Sequence, residues 1–147
     1  MPRMEAKTTL HVGERAVLDE AVRVAVSQLE TVGELAPFVV TKDWGDCQVE
    51  RFGDDGLDEA RIRLNELLTG GQEVGQCALG HLDDSESGPT VIAVEIGSVG
   101  ENRTRTFTQR FRPRRGRFRP FKLIGRPAPA GENQLSDDYR AVSSQTA

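Results

Sequence analysis

The chain has 147 residues, 37% of them apolar and 29% charged, with nineteen Lys or Arg set against twenty-three Asp or Glu for a net charge of −4. That length supports one hydrophobic core and not two. No run approaches the eighteen or more apolar residues of a membrane span, and the polar start MPRMEAKTTL lacks the apolar stretch of a secretory signal, so a cytoplasmic domain with no membrane partner is expected.

Residues 1–12 read as a flexible lead-in. A helical period begins at Gly13, with Leu18, Ala21, Val22, Ala25, Leu29 and Val32 at spacings of three and four. Glu14, Asp19 and Glu20 lie early, where negative charge suits the helix dipole, and Gly33 is a natural left-handed stop. Val22, Val24 and Val26 also alternate at period two, but the length and the end signals favour a helix. Pro37 bars continuation, and Phe38-Val39-Val40-Thr41 reads as a strand apolar on both faces. Asp43-Trp44-Gly45-Asp46 has turn chemistry, and Cys47 to Phe52 alternates as a returning strand, giving a hairpin.

A second helix is expected from Leu57 to Leu68, capped by Asp54 or Asp55 and ended by Gly70-Gly71, with Leu57, Ala60, Leu64, Leu67 and Leu68 buried. Residues 73–82 read as a third strand that Gly75 and Gly80 either weaken or open to the close approach of another backbone. An acidic loop, 83–89, precedes the strand Thr90 to Ile96. Arg103 to Arg112 and Arg117 to Ile124 read as the arms of a long hairpin, with Pro113-Arg114-Arg115-Gly116 as its turn and Arg114 and Arg115 at its tip. Residues 127–147, rich in Pro, Ala, Ser and acid, are expected to be a disordered tail. The order α-β-β-α-β-β-β-β predicts one α+β domain over 13–126. It is a two-layer plan, with a mainly antiparallel sheet of five to six strands and two amphipathic helices on one face.

Charge is distributed unevenly. Residues 103–126 hold ten cations and no acid, which leaves nine cations against twenty-three acids elsewhere; residues 43–101 alone carry fourteen acids and three Arg. A basic surface of that kind suits an acidic partner or the chain's own acidic part. Arg holds carboxylate or phosphate in a planar bidentate fork, so Arg110, Arg112, Arg114, Arg115, Arg117 and Arg119 are the candidate binding residues. Phe107, Phe111, Phe118 and Phe121 are interleaved with them. In a sheet that binds single strands such rings stack on bases; in the competing reading they are core, and the Arg residues are a solvated edge.

Catalytic signatures are weak. Cys47, Cys77 and His81 are the one nucleophile-like grouping, but Cys77 and His81 lie about 13 Å apart along a straight strand, and a reactive thiol needs a base beside it. Two cysteines do not make a disulfide framework, and DDSESGP lacks the ligand spacing of a metal loop. No lysine-bearing phosphate loop, GxSxG or HExxH is present, so no cofactor or metal is expected. Trp44 is a candidate surface anchor. The sequence therefore predicts a non-enzymatic binding domain. Its Arg-rich hairpin would engage an acidic protein surface or a second copy of the chain, with nucleic acid as the alternative partner and a Cys/His enzyme as the lesser one.

Overall fold

Val17, Leu18, Ala21, Val24, Ala25 and Leu29 recur at helical spacing and form the buried stripe of helix α1 (Val12–Thr31). The stripe is rotated slightly from the expected one. Val17 and Val24 join it, Val22 is half-buried, and Val32, past the helix end, is exposed. Gly33 ends the helix at φ +82°, the left-handed stop its position implied. The structure, a computed structural model, describes residues 10, 12–43, 45–70, 75–84, 88–101, 103–115 and 118–134. Most of the lead-in, Trp44, Gly116, Arg117 and residues 135–147 lie outside the described residues.

Strands β1 (Phe38–Lys42) and β2 (Cys47–Arg51) form the first hairpin. The Asp43 carboxylate closes its turn by accepting the N–H groups of Gly45 and Asp46, both at 3.2 Å. Helix α2 (Leu57–Thr69) buries Ala60, Leu64, Leu67 and Leu68. Its N-cap is Gly56, and no side chain caps it, so the expected cap from Asp54 or Asp55 does not form. A Cβ at Gly56 would lie 2.8 Å from the Phe52 Cβ, which leaves no room there for a capping residue. Strands β3 (Gln76–Asp83), β4 (Val91–Ser98), β5 (Arg103–Arg112) and β6 (Lys122–Gln134) follow.

The six strands form one open antiparallel sheet in the order β2-β1-β3-β4-β5-β6. The α+β class and the element order are those read from the sequence. The layering differs. Side chains alternate across a strand. Phe38, Val40, Ala78, Ile92, Val94, Ile96 and Phe107 pack with α1, while Val39, Cys77 and Leu79 pack with α2. The helices therefore cover opposite faces, and the expected two layers with both helices on one face are corrected to three layers over β1 and β3. The physical reason is visible in the strands. Phe38-Val39-Val40 and Cys77-Ala78-Leu79 are apolar at every position, and both faces need cover.

Glycines let each helix side pack closely. On the α1 face a Cβ at Gly80 would meet the Phe38 ring at 2.3 Å, so the ring of its cross-strand partner lies directly on the Gly80 backbone. On the α2 face a Cβ at Gly97 would meet Leu68 at 2.5 Å. The chain also continues past the expected boundary at Arg126. Residues 127–134 are part of β6 and pair with Arg103–Thr108, so a tail begins no earlier than residue 135. Among the described residues no helix is long and apolar enough to cross a membrane.

Candidate functional site

The long hairpin has a base and an arm. Strand β5 is sandwiched only along Arg105–Gln109, where it pairs with Ile92–Ile96 of β4 on one side and with β6 on the other. From Arg110 onward it pairs with β6 alone, Arg110 opposite Ile124, Phe111 opposite Leu123 and Arg112 opposite Lys122. A further bridge joins Arg115 to Arg119, with the Arg115 N–H donating to the Arg119 carbonyl at 2.8 Å. The strand pairing stops at Arg112 and Lys122, and one isolated bridge inside the expected Pro113–Gly116 turn sets Arg115 opposite Arg119, so Arg114 and Arg115 come before the chain reversal rather than forming it. Arg110 to Arg115 spans about 17 Å at the usual strand rise.

The junction between base and arm is built by a buried glutamine. The register of β5 against β6 shifts between Thr108 and Arg110, and Gly125 takes φ +72° opposite it. Gln109, 1% exposed, fills the irregularity. Its side-chain amide donates to the carbonyls of Arg110 at 2.8 Å, Ile124 at 3.2 Å and Gly125 at 3.2 Å, replacing ladder bonds that the bulge removes. Phe111 and Phe121 stack beyond it with centroids 5.5 Å apart, and with Leu123 they pack against the α1 core. Of the four interleaved rings, then, Phe107, Phe111 and Phe121 are core or core margin. Phe118 is 94% exposed.

The cations divide along the same line. At the base, Arg105 reaches the buried carboxylate of Glu14 at 2.6 Å, and Ser98 Oγ donates to the same carboxylate at 3.2 Å. Arg103 pairs with Glu132 at 3.6 Å. On the arm, Arg110, Arg112, Arg114, Arg115 and Arg119 are exposed, and among the described residues none of them has a carboxylate partner. Lys122 and Arg126 are exposed beside them. Arg117 lies outside the described residues. Five of the six candidate binding residues are thus exposed on one two-stranded ribbon, whose rings Phe111 and Phe121 rest against the core.

A second polar cluster sits under the other face, and sequence reasoning did not assemble it. Glu95, on the α2 side of β4, is 6% exposed; His81 Nε2 lies 3.4 Å from it and the Arg61 guanidinium 3.0 Å. Burial raises the Glu95 pKa, but the His81 hydrogen bond and the charge and hydrogen bond of Arg61 outweigh it, and the net direction is downward. The signal was a lone carboxylate inside the most apolar strand, which a buried site tolerates only when it is paired.

The Cys/His grouping does not assemble. Cys47 packs on the α1 face, whereas Cys77 packs with α2 and His81 bonds Glu95 on that same side, so Cys47 and His81 lie on opposite faces of the sheet. Cys77 is fully buried, and desolvation pushes its thiol up to about 12; burial raises the Cys47 thiol as well.

The fold and the arm define the class of an α+β domain carrying a cationic β-arm. Compared with protein-family models, curated proteins and solved structures, the chain matches none.

Proposed function

We propose that this chain is a non-enzymatic binding domain that engages an acidic macromolecular partner through its β-arm. The supporting observation is the contrast within one hairpin. The base neutralises Arg105 and Arg103 with Glu14 and Glu132, while the arm carries five exposed guanidinium groups with no carboxylate partner among the described residues, Arg112 reaching only the Pro120 carbonyl at 3.5 Å. A merely solvating role fits less well. The outer strand β6 already has Pro127 and Pro129 to discourage edge pairing, and the cations concentrate where β5 has left β4 rather than along the length of β6 that pairs with the base. An acidic protein surface has the right chemistry, and so does a second copy of this chain, since Asp54, Asp55, Asp58 and Glu59 are exposed beside the opposite edge strand. The free thiols of Cys47 and Cys77 suit a reducing, cytoplasmic setting.

The test is the double substitution Arg114→Ser/Arg115→Ser. Both residues are exposed, so the unfolding free energy should stay within about 0.5 kcal/mol of the parent. Elution from immobilised polyglutamate should move to lower salt. An unfolded double variant, or unchanged elution, would show that the arm's charge is not a binding device.

A further inference from the structure

We infer that the acidic partner of the arm is a single-stranded nucleic acid, gripped at its phosphates by the arm's guanidinium groups and stacked through one base on Phe118. This rests on the arm being the binding surface, as proposed above, and it narrows the chemistry of what binds there.

The observation that selects the partner is Phe118. Every other described Phe is at least partly buried, and Phe111, Phe121 and Phe107 are accounted for by packing. Phe118 is 94% exposed and lies one residue before Arg119, just past the tip. The ring so exposed contributes none of the stabilisation that burying it would give. An acidic protein surface satisfies the cations through its carboxylates but engages the ring only where a separate apolar pocket lies beside them. A nucleic-acid strand uses both groups, since the backbone presents a phosphate at each residue and every base presents a π-face. The cations are also almost all Arg rather than Lys, the side chain whose planar fork matches phosphate and itself stacks on bases.

The net charge of −4 does not oppose this. Asp83 ends β3, with Asp84 just after it, at the end of the sheet from which the arm leaves, so the arm's first cation, Arg110, starts at that acidic end. Arg114 and Arg115 stand about 13–17 Å farther out along the strand. The Debye length is about 8 Å at physiological salt, and the acidic body is largely screened at the tip. A single strand suits this better than a duplex. It carries less charge toward the acidic body, and its bases are already unstacked and free to meet one ring.

The experiment measures binding of a fluorescent fifteen-residue oligothymidylate by anisotropy. It compares the parent, Phe118→Ala and Arg114→Ser/Arg115→Ser, with polyglutamate and a duplex of equal length as competitors. With four phosphates held by Arg112, Arg114, Arg115 and Arg119, affinity should fall about fiftyfold between 50 and 200 mM salt. Phe118→Ala should weaken oligothymidylate about tenfold and leave polyglutamate binding unchanged. The Arg double variant should weaken both. Three results would overturn the inference while leaving the arm as the binding surface: Phe118→Ala binding oligothymidylate like the parent, the duplex competing better than the single strand, or polyglutamate competing as well as the oligonucleotide. An Arg double variant that binds both ligands like the parent would overturn the arm reading too.

Discussion

The base and the arm of the long hairpin share two strands and one composition, yet they place their charge in opposite environments. Arg105 lies two residues from Arg103 and five from Arg110 along β5. It is 13% exposed and paired with a carboxylate that α1 carries into the core, whereas Arg110 and the described cations beyond it are exposed and have no carboxylate partner among the described residues. The difference is set by what covers the strand. Where β4 and α1 flank β5, a guanidinium must find a partner or leave. Where β5 has only β6 beside it, water satisfies the charge and the side chain stays available. One run of Arg residues thus yields a structural group and a surface group.

Breaking the base should have the largest effect. Arg105→Ala leaves Glu14, 2% exposed, without its guanidinium and should cost about 3–5 kcal/mol in urea unfolding. Changing both partners to apolar residues of similar size should recover most of that loss, because the cost lies in the stranded charge. If Arg105→Ala costs less than about 1 kcal/mol, α1 is not held to β5 by this pair and the distinction between base and arm collapses.

Acid sharpens the same contrast, since guanidinium groups stay charged while carboxylates titrate. Glu95 has its pKa lowered in the fold. Its contribution is therefore present above the unfolded carboxylate value and is lost as pH falls through the folded one. Stability measured from pH 7 downward should fall more steeply in the parent than in Glu95→Gln, with the two curves converging at low pH. Parallel curves would mean that the His81–Glu95–Arg61 cluster contributes no pH-linked stability.

How far the sequence disclosed this arrangement depends on the range of the interactions. The helices, the strands and the hairpin pairing follow from periodicity and turn residues, which act over a few positions. The face on which each helix packs is a long-range choice. It was nevertheless implied by Phe38-Val39-Val40, a segment with no solvent face, and by Leu79 next to Ala78. The arm was legible as charge and alternation, but its reversal was displaced because an isolated bridge sets Arg115 opposite Arg119 beyond Pro113. Pairing of Glu14 with Arg105 joins positions ninety-one residues apart, and no local pattern announces it. The same holds for Arg61 with Glu95. Residues 127–134 looked disordered by composition, yet they pair with β5 because a strand edge accepts backbone whatever its side chains.

The smallest expected effect is at Arg103, and it is the one that separates burial from sequence position. Arg103 and Arg105 have the same parity on β5, and each has a glutamate partner. Their side chains differ in cover: 53% exposed for Arg103 and 13% for Arg105. In the exposed pair, Arg103–Glu132 at 3.6 Å, water screens the attraction and both side chains lose rotamer freedom on pairing, so little is gained. Arg103→Ala should therefore change unfolding stability by no more than about 0.5 kcal/mol. Raising salt should reduce even that difference, while the Arg105→Ala loss should persist, because ions in solution do not reach a pair enclosed under α1. Similar losses at the two positions would mean that strand face, and not cover by α1, decides which cations the fold uses.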